Sequence, residues 1–436
     1  MKKKNWQIIA CLALSFCGYL DFGYALHREN FLQLASVYII LFAGYIFLVR
    51  RSEEVSGKIF LIAAIVFRLS FLFSFPTLSD DYFRFVWDGT MLNLGVNPYT
   101  VVPSTFISHL HETQRNLWQL YQGMNSQHYF TVYPPVLQYI FGLAGWVFPE
   151  SILGAVLLSR AVIITADIAS IILMRKLLNY FQLPKENVWW YALNPLVIIE
   201  LTGNLHFEAV MIFFLLLAIY LLVMKKNWLS AIAIGLAVST KLIPLLFLPF
   251  IIRRMKLMSI IYFFITALIC TLLFLPFLDK SLITNLGSSI DLYFQKFEFN
   301  ASIFYIIRWI GFQSAGYDII NQAGPLLALT VFLIVIVFAL KERNLTTGHL
   351  FLMMQLSLLI YFLFATTVHP WYLVSLVMLS VFTGFRFPII WSLFVILSYS
   401  AYVMIPAQEN FWFIAFEYAA VGAALSIDLL RERSLR

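Results

Sequence analysis

Long runs that almost lack charge dominate this chain of 436 residues, and no other feature limits its fold as strongly. A bilayer core of about 30 Å takes about 20 apolar residues per helix. Runs of that kind cover 6–22, 31–49, 58–75, 188–203, 206–223, 257–278, 324–340, 349–367, 371–385, 388–405 and 410–429. In hydrocarbon each backbone amide must be satisfied within its own segment, so such runs fold as helices. The charged share is 12% and the hydrophobic share 61%, where a soluble domain carries about 25% charge. Together with a mean hydropathy of +0.86, this excludes a soluble globule, a disordered chain and a fibrous protein. The expected fold is all-α, a polytopic transmembrane bundle of about 12–14 membrane helices.

Two regions resist a simple assignment. Residues 134–174 hold two apolar stretches separated by Pro149-Glu150-Ser151, and 228–252 are interrupted by Lys241 and Pro244, which predicts a broken or re-entrant helix pair. The N-terminus reads Met1-Lys-Lys-Lys4 and then an apolar run with no small-residue cleavage site before Asp21, so it is expected to be an uncleaved first helix. Cys11, Cys17 and Cys270 all lie inside apolar runs, and their spacing supports neither a disulfide framework nor a metal cluster.

The net charge of +7 would point to nucleic acid in a soluble protein. Here the basic residues sort by side of the membrane instead. With the N-terminus inside, twenty Lys and Arg fall in cytoplasmic segments and six in outer ones, a positive-inside bias. This count assumes one net crossing over 134–174 and a hairpin over 228–252. It places two long loops, 76–133 and 279–323, on the outer face. Both are interleaved with Trp, Tyr and Phe, which predicts amphipathic helices at the interface.

Four constellations could carry chemistry. The first runs Ser79-Asp80-Asp81-Tyr82-Phe83-Arg84-Phe85-Val86-Trp87-Asp88-Gly89. On a helix Asp80, Arg84 and Asp88 repeat at i, i+4 and i+8, so one arginine neutralises only part of three carboxylates. A left-over acid beside apolar surface is suited to taking a proton; acids capping a helix N-terminus are the structural alternative. The second is Asn194-Pro195, Glu200 and Gly203-Asn204-Leu205-His206-Phe207-Glu208 at an outer turn. His206 and Glu208 suit a sugar hydroxyl, a phosphate or a metal, although two ligands do not make a metal site. The third, Lys241 in mid-run before Pro244, should face a partner or a wet cavity. It reads as a phosphate seat or as half of a buried ion pair. Arg160 with Asp167 reads as a structural pair, and Arg68 as a snorkelling or paired residue. The fourth is Thr366-Thr367-Val368-His369-Pro370-Trp371-Tyr372, where a titratable ring stands beside two aromatic ones suited to stacking on a sugar or packing an isoprenoid. The charge count puts all four on the outer side, which predicts one common site.

With these residues the chain resembles an integral-membrane glycosyltransferase of the C type (GT-C), and within that group bacterial mannosyltransferase-like proteins that use polyprenyl-phosphate sugars. The resemblance spans about 58–405. It rests on Asp80-Asp81-x-x-Arg84-x-x-Trp87-Asp88-Gly89, Gly95-x-Asn97-Pro98-Tyr99, Tyr133-Pro134-Pro135, Asn194-Pro195, Gly203-Asn204-x-His206-x-Glu208, Lys241-x-x-Pro244 and His369-Pro370-Trp371-Tyr372. It implies a catalytic base at Asp80 with Asp81 beside it. It further implies substrate-binding roles for Arg84, Asp88, Asn204, His206, Glu208, Lys241, His369, Trp371 and Tyr372, the basic ones holding the donor phosphate. The acid pair follows the third span rather than the first, so residues 1–57 are taken as an additional N-terminal helix pair and 58–436 as the catalytic domain.

The implied reaction is an inverting transfer of a hexose such as mannose to a glycan, lipid or protein acceptor. It would occur on the periplasmic side of a bacterial inner membrane, among membrane lipids and without nucleic acid. No cofactor is required, since the phosphate leaves readily; carboxylates of this kind do bind divalent metals, but nothing in the spacing supports one. The rival class is a transporter or flippase of lipid-linked sugars or anions, which predicts two matched halves that the sequence does not display.

Overall fold

A computed structural model describes residues 2–108, 115–295, 297–404 and 406–434. Lys296 and Arg436, counted in the charge bias, lie outside the described residues, as do 109–114 of the first long loop. Among the described residues all regular structure is helical, apart from one isolated bridge between Phe299 and Thr367. The chain is a polytopic all-α membrane protein. Along it run α1 (Lys2–Tyr24), α2 (Phe31–Arg50), α3 (Gly57–Leu69), α4 (Asp81–Asn93), α5 (Pro103–Ile107), α6 (Arg115–Gly123), α7 (Pro135–Val147), α8 (Ile152–Tyr180) and α9 (Glu208–Val223). Then come α10 (Asn227–Val238), α11 (Met258–Phe274), α12 (Leu282–Gln295), α13 (Ile303–Ala315), α14 (Ile320–Lys341), α15 (Thr347–Phe364), α16 (Val374–Thr383), α17 (Phe387–Phe394) and α18 (Phe411–Ser434), with short turns of helix between some of them.

Among the described residues seven helices are long and apolar enough to cross a bilayer: α1, α2, α8, α11, α14, α15 and α18. Pro195–Gly203 and α9 pass that test only together, as a pair broken between them, and four apolar helices are shorter: α7, α10, Pro370–Thr383 and Phe387–Val403. The helices that pass number seven, or eight with the broken pair, fewer than the 12–14 expected. Several runs with enough apolar residues yield less helix than their length. The run 58–75 stops being helical at Leu69, ahead of Pro76, and 371–385 ends at Gly384, which takes the left-handed conformation with φ +76°. The expected interruption within 228–252 is present: α10 ends at Val238, and helix resumes as a tight turn over Ile243–Phe247.

The chain forms two compact units. One comprises Met1–Leu78, Ile168–His206 and Glu298–Arg436, and the other Ser79–Asp167 and Phe207–Phe297.

In the second unit the head of the long loop is a packed subdomain, not a linker. Trp87 and Met91 of α4 close over Ile107, Leu117, Leu120 and Met124 from α5 and α6, which accounts for the aromatic content of 76–133. α4 also crosses α7 at backbone contact. A Cβ on Gly89 would lie 2.2 Å from the Phe141 carbonyl oxygen, and one on Gly145 would lie 2.9 Å from the Gly89 backbone. Gly89→Ala should therefore cost about 1–3 kcal/mol, read as a lowered melting temperature in detergent. Gly287→Ala, in mid-helix where a Cβ meets nothing within 4 Å, should not lower it and should raise it slightly.

The motif around Asn97 is also architectural. Gly95 turns the chain at φ +73°. Asn97 Oδ1 accepts the Tyr99 amide at 3.1 Å while its Nδ2 donates to the Phe277 carbonyl at 2.9 Å, and the Tyr99 hydroxyl donates to the Tyr133 carbonyl at 2.6 Å.

In the first unit Asn194 caps the short helix Pro195–Val197, its Oδ1 accepting from Leu196 N at 2.9 Å, and donates to Ser392 Oγ at 3.0 Å. Arg68 does not snorkel. It is fully buried and donates from one guanidinium nitrogen to the carbonyls of Ala64 and Ala192, both at 2.9 Å. α13, in the second long loop, turns Ile306, Trp309, Ile310 and Phe312 outward and buries Phe304 and Gly311.

Candidate active-site residues

The acids at the head of α4 lie in the second unit. Asp80 occupies the N-cap position, but its side chain makes no capping hydrogen bond, and the Asp81 amide donates to Ser79 Oγ at 3.3 Å. The acids are thus not employed as caps. Asp81 is half-buried. Burial pushes its carboxyl up to about 6, against the opposing pull of the Lys241 ammonium and of a hydrogen bond from Asn125, while Asp80 and Glu208 push in the same direction as burial.

Lys241 forms an ion pair with Glu208. α10 ends just before it, and the Ser239 carbonyl accepts the Val136 amide at 3.0 Å, fastening this break to the first turn of α7. Glu208 opens α9 and is fully buried, and among the described residues its Oε2 has no hydrogen-bond partner. A buried carboxylate oxygen in that condition calls for a donor. Asp80, Asp81 and Glu208 together outnumber Lys241, so this cluster favours developing positive charge and hydroxyl donors. Of the two readings of Lys241, the structure shows the ion pair.

Arg84 and Asp88 sit deeper in the same unit. Arg84 Nε donates to Asp88 Oδ1 at 2.7 Å, and Nη1 donates to the carbonyls of Tyr129 (2.9 Å) and Ser126 (3.3 Å). Asp88 Oδ2 accepts from Thr131 Oγ1 at 2.5 Å and Gln138 Nε2 at 2.9 Å. Both residues are buried, and their contacts tie α4 to the 126–131 segment and to α7. This geometry makes them the brace of α4, with the half-buried acid pair at its N-terminal end.

The second cluster lies in the first unit. Residues Ile198–Gly203 wind as a π-helix, a form that recurs at functional sites. Asn204 N closes it on the Ile199 carbonyl at 2.9 Å. Leu205 then takes φ +61°, a conformation that costs a bulky residue of order 1–3 kcal/mol. This backbone brings Glu200, Asn204 and His206 together. Glu200 Oε1 accepts from the Tyr399 hydroxyl at 2.7 Å; Oε2 accepts from Asn204 Nδ2 at 3.2 Å and lies 3.5 Å from His206 Nε2.

Trp371 joins the two histidines. Its indole stacks on His206 at 3.8 Å and 16° and on His369 at 4.3 Å and 8°. Two near-parallel rings that close to one indole must take opposite faces, so both faces of Trp371 are covered. It holds an imidazole on each face. Tyr372 meets His369 edge-on at 5.4 Å, and Phe299 flanks the same ring at 5.0 Å.

The structure therefore groups Asp80, Asp81, Glu208 and Lys241 in one unit, with Arg84 and Asp88 bracing them, and Asn204, His206, His369, Trp371 and Tyr372 in the other. Sequence reasoning named Glu200 in the second constellation without giving it a role, and it did not pick out Asn125 or Tyr399. Glu200 was visible as a lone acid in an apolar run; Tyr399 and Asn125 carry no local signal. Among the described residues no group of three or more His, Cys, Asp or Glu side chains is arranged to hold a metal ion.

A bundle of membrane helices with buried acids and histidines at its helix breaks fits the GT-C class of integral-membrane glycosyltransferases. Residues 19–256, more than half of the chain, match the family described as alpha-(1->6)-mannopyranosyltransferase, N-terminal domain, and the chain belongs to that family. The match takes in Asp80, Asp81, His206, Glu208 and Lys241 but not His369–Tyr372. Among curated proteins the chain is 26% identical over 187 residues to alpha-(1->6)-mannopyranosyltransferase A of Corynebacterium glutamicum, covering 42% of this chain and 36% of that protein. It is 24% identical over 237 residues to the Mycobacterium tuberculosis protein of the same name, covering 54% and 44%. The similarity thus extends over less than half the length of either relative.

Proposed function

We propose that this protein is a membrane mannosyltransferase that moves mannose from a polyprenyl-phosphate donor to a glycan acceptor at the outer face of the membrane, with Asp81 as general base. The observation that carries the reading is Asp81 itself: a half-buried carboxyl raised to about 6 at the head of α4, within electrostatic reach of the Glu208–Lys241 pair. A base is most effective when its pKa lies near the working pH. Asp80 stands beside it and raises its basicity.

In the reaction the acceptor oxygen attacks the anomeric carbon, its proton passes to Asp81, and the bond from that carbon to the phosphate oxygen breaks with inversion. The excess of carboxylates over Lys241 stabilises positive charge developing on the sugar ring. The buried Glu208 Oε2, which no donor among the described residues reaches, is suited to accept from a sugar hydroxyl. Support for mannose comes from the family; support for the outer face comes from the distribution of Lys and Arg.

The test is the pH dependence of transfer from radiolabelled polyprenyl-phosphate mannose by purified protein. The active form of Asp81 is the carboxylate, so the rate should be level above about pH 7 and fall to about one-tenth at pH 5. Because the Lys241 ammonium lowers the Asp81 pKa, Lys241→Met should move this limb to higher pH. A profile flat from about pH 5 to 8 would remove Asp81 from the role.

A further inference from the structure

The turn between α16 and α17, in the first unit, carries a guanidinium that the fold positions but does not neutralise. Gly384 reverses the chain there, and Arg386 follows with its backbone locked from α18: Asp428 Oδ2 accepts the amides of Arg386 at 2.7 Å and of Phe387 at 2.8 Å. That carboxylate is engaged with the main chain and forms no ion pair with the Arg386 side chain. The guanidinium lies instead over the Trp190 ring, its Cζ 4.1 Å from the centroid. Trp190 is itself fixed, because the Tyr45 hydroxyl donates to its carbonyl at 2.8 Å and the two rings meet edge-on at 5.9 Å. Among the described residues nothing accepts a hydrogen bond from this guanidinium, and of its nitrogens only Nη1 is closed off from solvent. The Nε–Nη2 edge is thus left to a partner.

The charges around Arg386 and its level in the bundle say what that partner is. Burial lowers the pKa of the group and Arg431 adds to that effect, while Tyr45 and Asp428 oppose it. Two arginines thus share one carboxylate that is already bound to backbone amides, and a half-buried cation in that condition calls for an anion. Tyr45 and Asp428 stand near the C-terminal ends of the spanning helices α2 and α18, and the turn itself joins two apolar helices. Apolar helices end together here, at the level where a bilayer presents its phosphates. We propose that Arg386, resting on Trp190 and within electrostatic reach of Arg431, binds the phosphate of an anionic phospholipid headgroup through its Nε–Nη2 edge. Arginine offers its donors in a planar fork that fits two phosphate oxygens at once, and basic pockets among membrane helices hold headgroups in this manner. The site is independent of the transfer reaction proposed above.

The test uses the full-length protein, stripped of lipid in a non-ionic detergent and titrated separately with phosphatidylglycerol, phosphatidylcholine and inorganic phosphate. Native mass spectrometry should show phosphatidylglycerol retained in preference to phosphatidylcholine, and phosphatidylglycerol should raise the melting temperature, since a ligand of the folded state stabilises it. Arg386→Met should weaken the tightest phosphatidylglycerol binding by about ten-fold or more and abolish that rise. Arg386→Lys, which keeps the charge without the fork, should weaken it less, and Arg431→Gln should act in the same direction. An arginine that only packs on Trp190 would behave otherwise: Arg386→Met would lower the melting temperature with and without lipid alike and leave the lipid-induced rise intact, which overturns the proposal. Equal retention of the two phospholipids, or saturation of the site by inorganic phosphate in place of lipid, overturns the headgroup as the source of the phosphate. Should Arg386→Met fail to fold, Arg386→Lys decides, and an undiminished affinity in that variant overturns the site.

Discussion

Replacing Asp81 by Asn is expected to lower the rate of mannosyl transfer by about 10²–10⁴-fold, the usual contribution of a positioned base. The loss should appear in kcat, with the donor KM little changed, because the proton moves only as the acceptor oxygen attacks. Stability should not suffer. Burial holds the Asp81 carboxyl at about 6, above its ordinary value, so the ionised form is disfavoured by the fold at neutral pH and a neutral amide of the same size relieves that cost. Asp80→Asn tests the division of labour within the pair. It removes a neighbouring negative charge that raises the Asp81 pKa, so it should slow transfer less and move the acid limb of the pH profile downward. Initial rates with radiolabelled donor, taken beside melting curves, separate these outcomes; a larger loss from Asp80→Asn than from Asp81→Asn would place the base at Asp80.

Arg84→Met carries the second large expectation, this time on stability. Arg84 and Asp88 are buried together, and removing one member strands the other as an uncompensated charge, a change that costs about 3–5 kcal/mol. Most of that loss should return in the double variant Arg84→Met with Asp88→Leu, since replacing both partners of a buried pair by apolar groups is often nearly neutral. A donor-phosphate role for Arg84 would give another pattern: a raised KM in the single variant, an unchanged melt, and no rescue in the double. Denaturation in detergent, followed by near-UV signals from the Trp87 cluster, distinguishes the two.

The helical class and the interrupted run at Lys241 were legible because they depend on residue-by-residue hydropathy, which a single sequence carries in full. The i, i+4 spacing of Arg84 and Asp88 likewise announced a pair. It did not reveal that Thr131, Gln138 and the carbonyls of Ser126 and Tyr129 complete their hydrogen bonding, since those partners come from 38 or more positions further along the chain. The stack of His206, Trp371 and His369 joins segments more than 160 positions apart, and no local pattern encodes it. Glu200 needed the π-helical turn to reach His206, and a turn of that kind has no compositional mark. Helix length was over-read for the same reason. An apolar run such as 371–385 serves equally for a bilayer crossing and for a short helix buried among others.

The choice of donor separates a lipid-dependent mannosyltransferase most directly from a nucleotide-dependent enzyme or a flippase. Purified protein in detergent should be offered mannose labelled at its anomeric carbon, once on a polyprenyl phosphate and once on a soluble nucleotide, with an oligomannoside acceptor. Label should reach the acceptor from the lipid-linked donor alone, with inverted anomeric configuration. Transfer from the nucleotide donor, retention of configuration, or movement of intact lipid-linked sugar across reconstituted vesicles without any transfer would contradict it.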